Sequence, residues 1–121
     1  MTVADQYARW MARKIRSLGQ VPCGTPLVWQ AARLYGHSWR LAQAHRHAGA
    51  GVSDALAVLS LSTSIYHDAH WDGVREAVQA GATVGQVAMA LGISIDDARD
   101  LIRRIKERDR ELKRYFQQAS P

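Results

Sequence analysis

One cysteine, Cys23, stands in 121 residues. No disulfide can form within the chain, and a four-cysteine zinc site is excluded. Long apolar runs are lacking too. The longest apolar-looking piece, residues 55–65, is broken by Ser60, Ser62, Thr63 and Ser64, and none approaches the roughly eighteen residues that span a bilayer. The N-terminus has no apolar segment of the signal-peptide kind. A cytoplasmic protein with no membrane partner is expected. Strand signals are scarce: residues 62–66 are the nearest, too short and too polar to support a sheet. Catalytic patterns are lacking as well. There is no nucleophile motif, no glycine-rich phosphate loop behind a strand and no ordered carboxylate pair, so neither an enzyme nor a cofactor is expected.

Apolar residues make up 47% of the chain, enough for a real core, and the net charge is +5. That excess suits a polyanionic partner. It is unevenly placed: residues 1–70 hold seven Arg and Lys against three acids, and residues 71–121 hold nine against eight.

Helical periodicity runs through almost the whole chain, so the expected fold class is all-α. Residues 3–18 place Tyr7, Trp10, Met11, Ile15 and Leu18 on one face, with Arg9, Arg13 and Arg16 as a basic stripe on another. Residues 19–24 read as a break. Thr25-Pro26 looks like a helix start, and the helix it opens should end at Gly36. Residues 38–47 predict another helix, ending near Gly49. Val52-Ser53-Asp54 opens one that should reach about Ser60, with a turn or second cap at residues 62–64. Two regions are expected: 1–70, helical and a possible dimerisation region, and 71–121. Residues 52–66 also faintly echo residues 83–94, though alanine-rich helix composition explains that better.

Residues 84–103 carry the sharpest pattern. Val87, Ala88 and Leu91 form one apolar stripe, with Ala88 small enough for two helices to cross closely. Gly92 follows the last periodic residue, where a left-handed helix end is cheapest for glycine. Ile93 plugs the core from the turn. Ser94 can cap the next helix, with Asp97 at the capping-box distance, and Thr83 and Gln86 repeat that signal one helix earlier. Ala98, Leu101, Ile102 and Ile105 supply the inward face of the second helix. A three-helix unit over 72–80, 83–90 and 94–105 is expected, with Val87, Leu91, Ile93, Leu101 and Ile102 buried together. The last helix should continue to about Gln117.

This pattern resembles the helix-turn-helix superfamily, in Val87, Ala88, Leu91, Gly92, Ile93, Ala98 and Leu101. The resemblance implies a small bacterial or phage-type regulator or nucleoid factor that binds double-stranded DNA as a homodimer, because one recognition helix touches few base pairs. The front of the second helix would enter the major groove. Arg99 and Arg103 would then pair with guanine, Asp96 would accept from a cytosine amino group, and Ile95 would touch a thymine methyl. Thr83, Gln86, Ser94, Arg104 and Lys106 would meet phosphate, joined by Arg9, Arg13 and Arg16 if the first helix lies near. The acids of the second helix read equally as local partners for Arg99, Arg103 and Arg104. On that second reading the corner is structural and the chain is an adaptor with a protein partner.

His67 and His70, with Asp68 and Asp72 nearby, and the pair His45 and His47 lack the third and fourth ligands of a zinc site. They read as surface or hinge residues, with no metal. Trp10 and Trp29 read as core or interface anchors.

Overall fold

The computed structural model describes residues 1–44 and 51–119. His45, His47 and the end of the helix expected over 38–47 lie outside the described residues. Every regular element among the described residues is helical, and the fold class is all-α. The chain divides into two units, Met1–His67 and Asp68–Pro121.

In the first unit, Thr2 opens α1 (Val3–Ala12) with a capping box to Asp5. The helix stops well short of Leu18. Arg13 turns to extended backbone, and a short 3-10 turn follows at Leu18–Gln20. The Gln20 side chain explains the stop: its Oε1 accepts the backbone N–H groups of Arg16 at 2.6 Å and Ser17 at 3.1 Å. The extended stretch also carries Ile15 into the core. Arg9, Arg13 and Arg16 therefore do not share a helix face. Arg13 instead donates its Nε to the Gln20 carbonyl at 2.6 Å.

Two long helices complete the unit, α2 (Leu27–Ala44) and α3 (Val52–Asp68). The expected end at Gly36 does not occur. A mid-helix glycine costs only about 1 kcal/mol, and Arg33 and His37 on either side of it are both held by tertiary hydrogen bonds. The expected turn at residues 62–64 is also absent. Thr63 donates its hydroxyl back to the Leu59 carbonyl at 2.8 Å, and Ser64 donates to Gln30 Oε1 at 2.6 Å inside the protein. Hydroxyls satisfied in this way leave the helix intact. Residues 52–66 are one helix, so no second two-helix corner exists there.

Trp10, Ile15, Ala57 and Leu61 form the core, with Val21, Trp29 and Leu34 against it. Arg33 is buried beside them. It donates to the carbonyls of Trp10 at 2.7 Å and Arg13 at 2.8 Å, and lies 5.3 Å from the Trp10 ring centre. Another of its nitrogens donates to His37 Nε2 at 2.9 Å. Arginine cannot accept, so Nε2 is bare, and Nδ1 carries the proton that goes to Asp54 at 2.8 Å. This bond, with Arg40 beyond it, holds the Asp54 carboxyl below its usual range.

The second unit holds a five-residue π-helical segment (Ala69–Gly73), α4 (Val74–Gln79), α5 (Val84–Leu91) and α6 (Ile95–Ala119). Val74, Val87, Ala88, Ala98, Leu101, Ile102 and Ile105 are buried together, and Trp71, Leu91 and Ile93 pack against them.

Candidate nucleic-acid interface

Local chemistry places α4, α5 and α6 with little freedom. Thr83 and Gln86 form a complete capping box at the start of α5. At its end Gly92 adopts φ +70°. Its N–H reaches the Met89 carbonyl, and that of Ile93 reaches Ala88. This is the paired helix stop that turns Ile93 back onto the core. Gly81, at φ +101°, closes α4 in the same manner, with the N–H of Ala82 on the Ala77 carbonyl. Ser94 accepts the N–H of Asp97 at 3.0 Å and opens α6. The expected second and third helices thus stand within a residue or two of their places. The first is shorter than the expected 72–80, because its opening is the π-helical segment. Leu91 and Ile93 are half-buried rather than buried.

Each turn of α6 advances 3.6 residues, so residues four and three apart share a face. Arg99, Arg103, Lys106 and Arg110 follow that 4-3-4 spacing, with Lys113 next in register. The first four line a cleft of about 310 Å3 with Ile102 and with Val84 from the first turn of α5. No acid lines it. Ile95 is exposed at the front of the same face. Arg104, two residues before Lys106, lies about 200° round the helix from it. It faces away from the cleft and pairs with Asp100 at 3.3 Å.

The neighbouring arc, farther from the core, is acidic: Asp96, Asp100, Glu107 and Glu111. Its members reach across to the cations. Asp96 meets Arg99 at 3.3 Å, Asp100 pairs with Arg103, and Glu107 meets Arg103 at 3.4 Å. The bond to Arg103 holds the Asp100 carboxyl below its usual range and raises the Arg103 guanidinium. All these pairs are exposed. Such pairs contribute about 0–1 kcal/mol, so an incoming anion can displace them cheaply.

Thr83, Gln86 and Ser94 spend part of their capacity on capping, yet the Thr83 hydroxyl hydrogen and the Gln86 amide donors are not used by those bonds. Arg9, Arg13 and Arg16 belong to the first unit, and their expected stripe is not formed.

Sequence reasoning missed Arg75. It grips Asp109 through two bonds of 2.8 and 2.7 Å and also meets Asp72 at 2.7 Å, tying α4 to α6. Arg75 keeps Asp109 below the usual carboxylate range. Arg108 lies 4.9 Å from the Trp71 ring centre. Neither contact had a local signal, since the partners stand more than thirty residues apart. Among the described residues, no three His, Cys, Asp or Glu side chains come together to hold a metal.

No protein-family model, no curated protein and no solved structure matches the chain.

Proposed function

We infer that the second unit binds double-stranded DNA through α5 and α6, as a small transcriptional regulator or nucleoid factor. The observation that carries this is the row of Arg99, Arg103, Lys106 and Arg110, which lines a cleft beside the first turn of α5 with no acid in its wall, its only acidic partners among the described residues being the exposed pairs of Arg99 and Arg103. Phosphate binding needs such a row, and the positive end of α5 adds to it. Arg99 and Arg103, nearer the front of α6, take the base edges. Lys106 and Arg110 follow the phosphate backbone. Arg104 drops out of the contact set, because it lies round the helix from Lys106. A bidentate arginine contact is worth about 1–3 kcal/mol, more than the exposed pair it replaces.

The acidic arc of α6 favours a second reading, in which that face binds a basic protein and the corner is structural. A duplex-binding assay over a range of salt separates the two. DNA binding gives an affinity that falls steeply with salt, because cations on the protein release counterions from the duplex. Lys106→Ala should then flatten the slope by about one contact, and Arg99→Ala should relax preference at one base pair. Duplex affinity unchanged in both Arg99→Ala and Arg103→Ala would rule out α6 as the reader.

A further inference from the structure

Arg9 is a cation without a partner. Among the described residues its guanidinium makes no hydrogen bond and no ion pair. Asp5, one turn earlier, spends its carboxylate on Thr2, accepting the backbone N–H at 3.1 Å and the hydroxyl at 2.8 Å. Arg9 and Arg13 do not share a helix face, yet both line one cleft of about 280 Å3 in the first unit. Gln6, Trp10, Thr25 and Trp29 line it with them, and no acid does.

Most of this wall is held by bonds within the protein. Trp10 is buried, and its Nε1 donates to the Trp29 carbonyl at 3.0 Å. The Trp29 ring stands edge-to-face with Tyr7, 5.1 Å between centres. Arg13 is tied through Nε to the Gln20 carbonyl at 2.6 Å, which leaves its two terminal amino groups to donate. The Thr25 hydroxyl donates to the Pro22 carbonyl at 2.7 Å, so its hydrogen is spent. The donors left are the Arg9 guanidinium, the ends of Arg13 and the Gln6 amide.

We propose that this cleft binds a small aromatic carboxylate of one or two fused rings. The carboxylate meets Arg9 and Arg13, and the rings lie against the indoles. Three observations select this ligand. A guanidinium forks onto a carboxylate through two parallel bonds, and two cations with no acid between them gain from an anion that joins them. Indole walls suit a flat apolar ring. The volume lies just under the roughly 300–1,000 Å3 of sites for drug-sized ligands, so the ligand is a compact one. A nucleic-acid single strand fits less well, because its bases stack on open rings and Trp10 is only 4% exposed. The proposal is independent of the DNA reading.

The test is titration of the full chain with 2-naphthoate, with 2-naphthamide as the uncharged control. Nitrogen–proton NMR follows the four indole N–H signals. The expected result is saturable binding with a Kd below about 1 mM, and at least about tenfold weaker binding of naphthamide, and of naphthoate to Arg9→Ala. The signals of Trp10 and Trp29 should move, and those of Trp39 and Trp71 should not. If Arg9→Ala loses its helical circular dichroism, Arg9→Gln, which keeps most of the stem, takes its place. Naphthoate that does not saturate overturns the proposal. So do equal affinities for naphthoate and naphthamide, an unchanged affinity in the folded Arg9 variant, or movement confined to Trp39 and Trp71. Oligothymidylate that displaces naphthoate at a lower concentration than naphthoate itself needs would make a single strand the occupant, and overturns it too.

Discussion

Arg33 is the residue on which the first unit most depends. Its guanidinium satisfies two backbone carbonyls and His37 at once, and burial lowers its own proton affinity. Arg33→Met removes the charge but leaves those acceptors without donors in a low-dielectric site. It should cost about 3 kcal/mol or more, read as a lowered urea midpoint. Arg33→Lys should recover little, since an ammonium cannot fork to the same acceptors. Asp54, at the other end of this chain of bonds, makes the unit acid-sensitive. Its folded value lies below the ordinary 3.8 because of His37 first and then Arg40. Its contribution is present above about pH 3.8 and is lost as pH falls through the depressed folded value. Asp54→Asn should therefore lower stability at neutral pH and flatten the acid limb of a stability–pH curve. An unchanged acid limb would show that His37 and Arg40 do not hold the carboxylate in solution.

At the scale of elements, the turn between α5 and α6 rests on glycine. Nothing lies within 4 Å of a Cβ added at Gly92, but φ is +70°. The cost of Gly92→Ala is thus backbone strain alone, about 1–2 kcal/mol, and asparagine should cost less. Packing sets the next magnitudes. Ile105 is buried, and Ile105→Ala should cost about 2–5 kcal/mol. Leu91 is half-buried, and Leu91→Ala should cost about half as much. Thermal melts of the three variants rank these effects; a Leu91 variant as damaging as the Ile105 variant would place Leu91 deeper in the core.

For the whole molecule, the two units divide the chemistry. The second carries the cationic row proposed for DNA, and the first carries the chain of bonds through Arg33, His37 and Asp54. The two are read separately: Arg33→Met should lower the urea midpoint, whereas Arg99→Ala, at an exposed residue, should weaken duplex binding and leave stability in urea within about 0.5 kcal/mol of wild type.

The amino-acid sequence alone determined the all-α class and the boundaries of α5 and α6. Those boundaries depend on caps and turns that act within four residues: Thr83 with Gln86, Gly92 with Ala88 and Met89, Ser94 with Asp97. The row of cations on α6 was implicit in it as well, since spacing along one helix is a local property. Only the tertiary structure decided where α1 ends, because Gln20 and the buried Ile15 outweigh the periodicity that points to Leu18. It also carried α2 through Gly36 and α3 through its serines, because Arg33, His37 and Ser64 have partners on other elements. Arg33 and Arg75 look like ordinary surface arginines until the carbonyls and carboxylates they hold come within reach. Those partners stand about 20 and 34 residues away, farther than any periodicity extends. The fold brings them together by burying apolar surface that the local pattern does not specify.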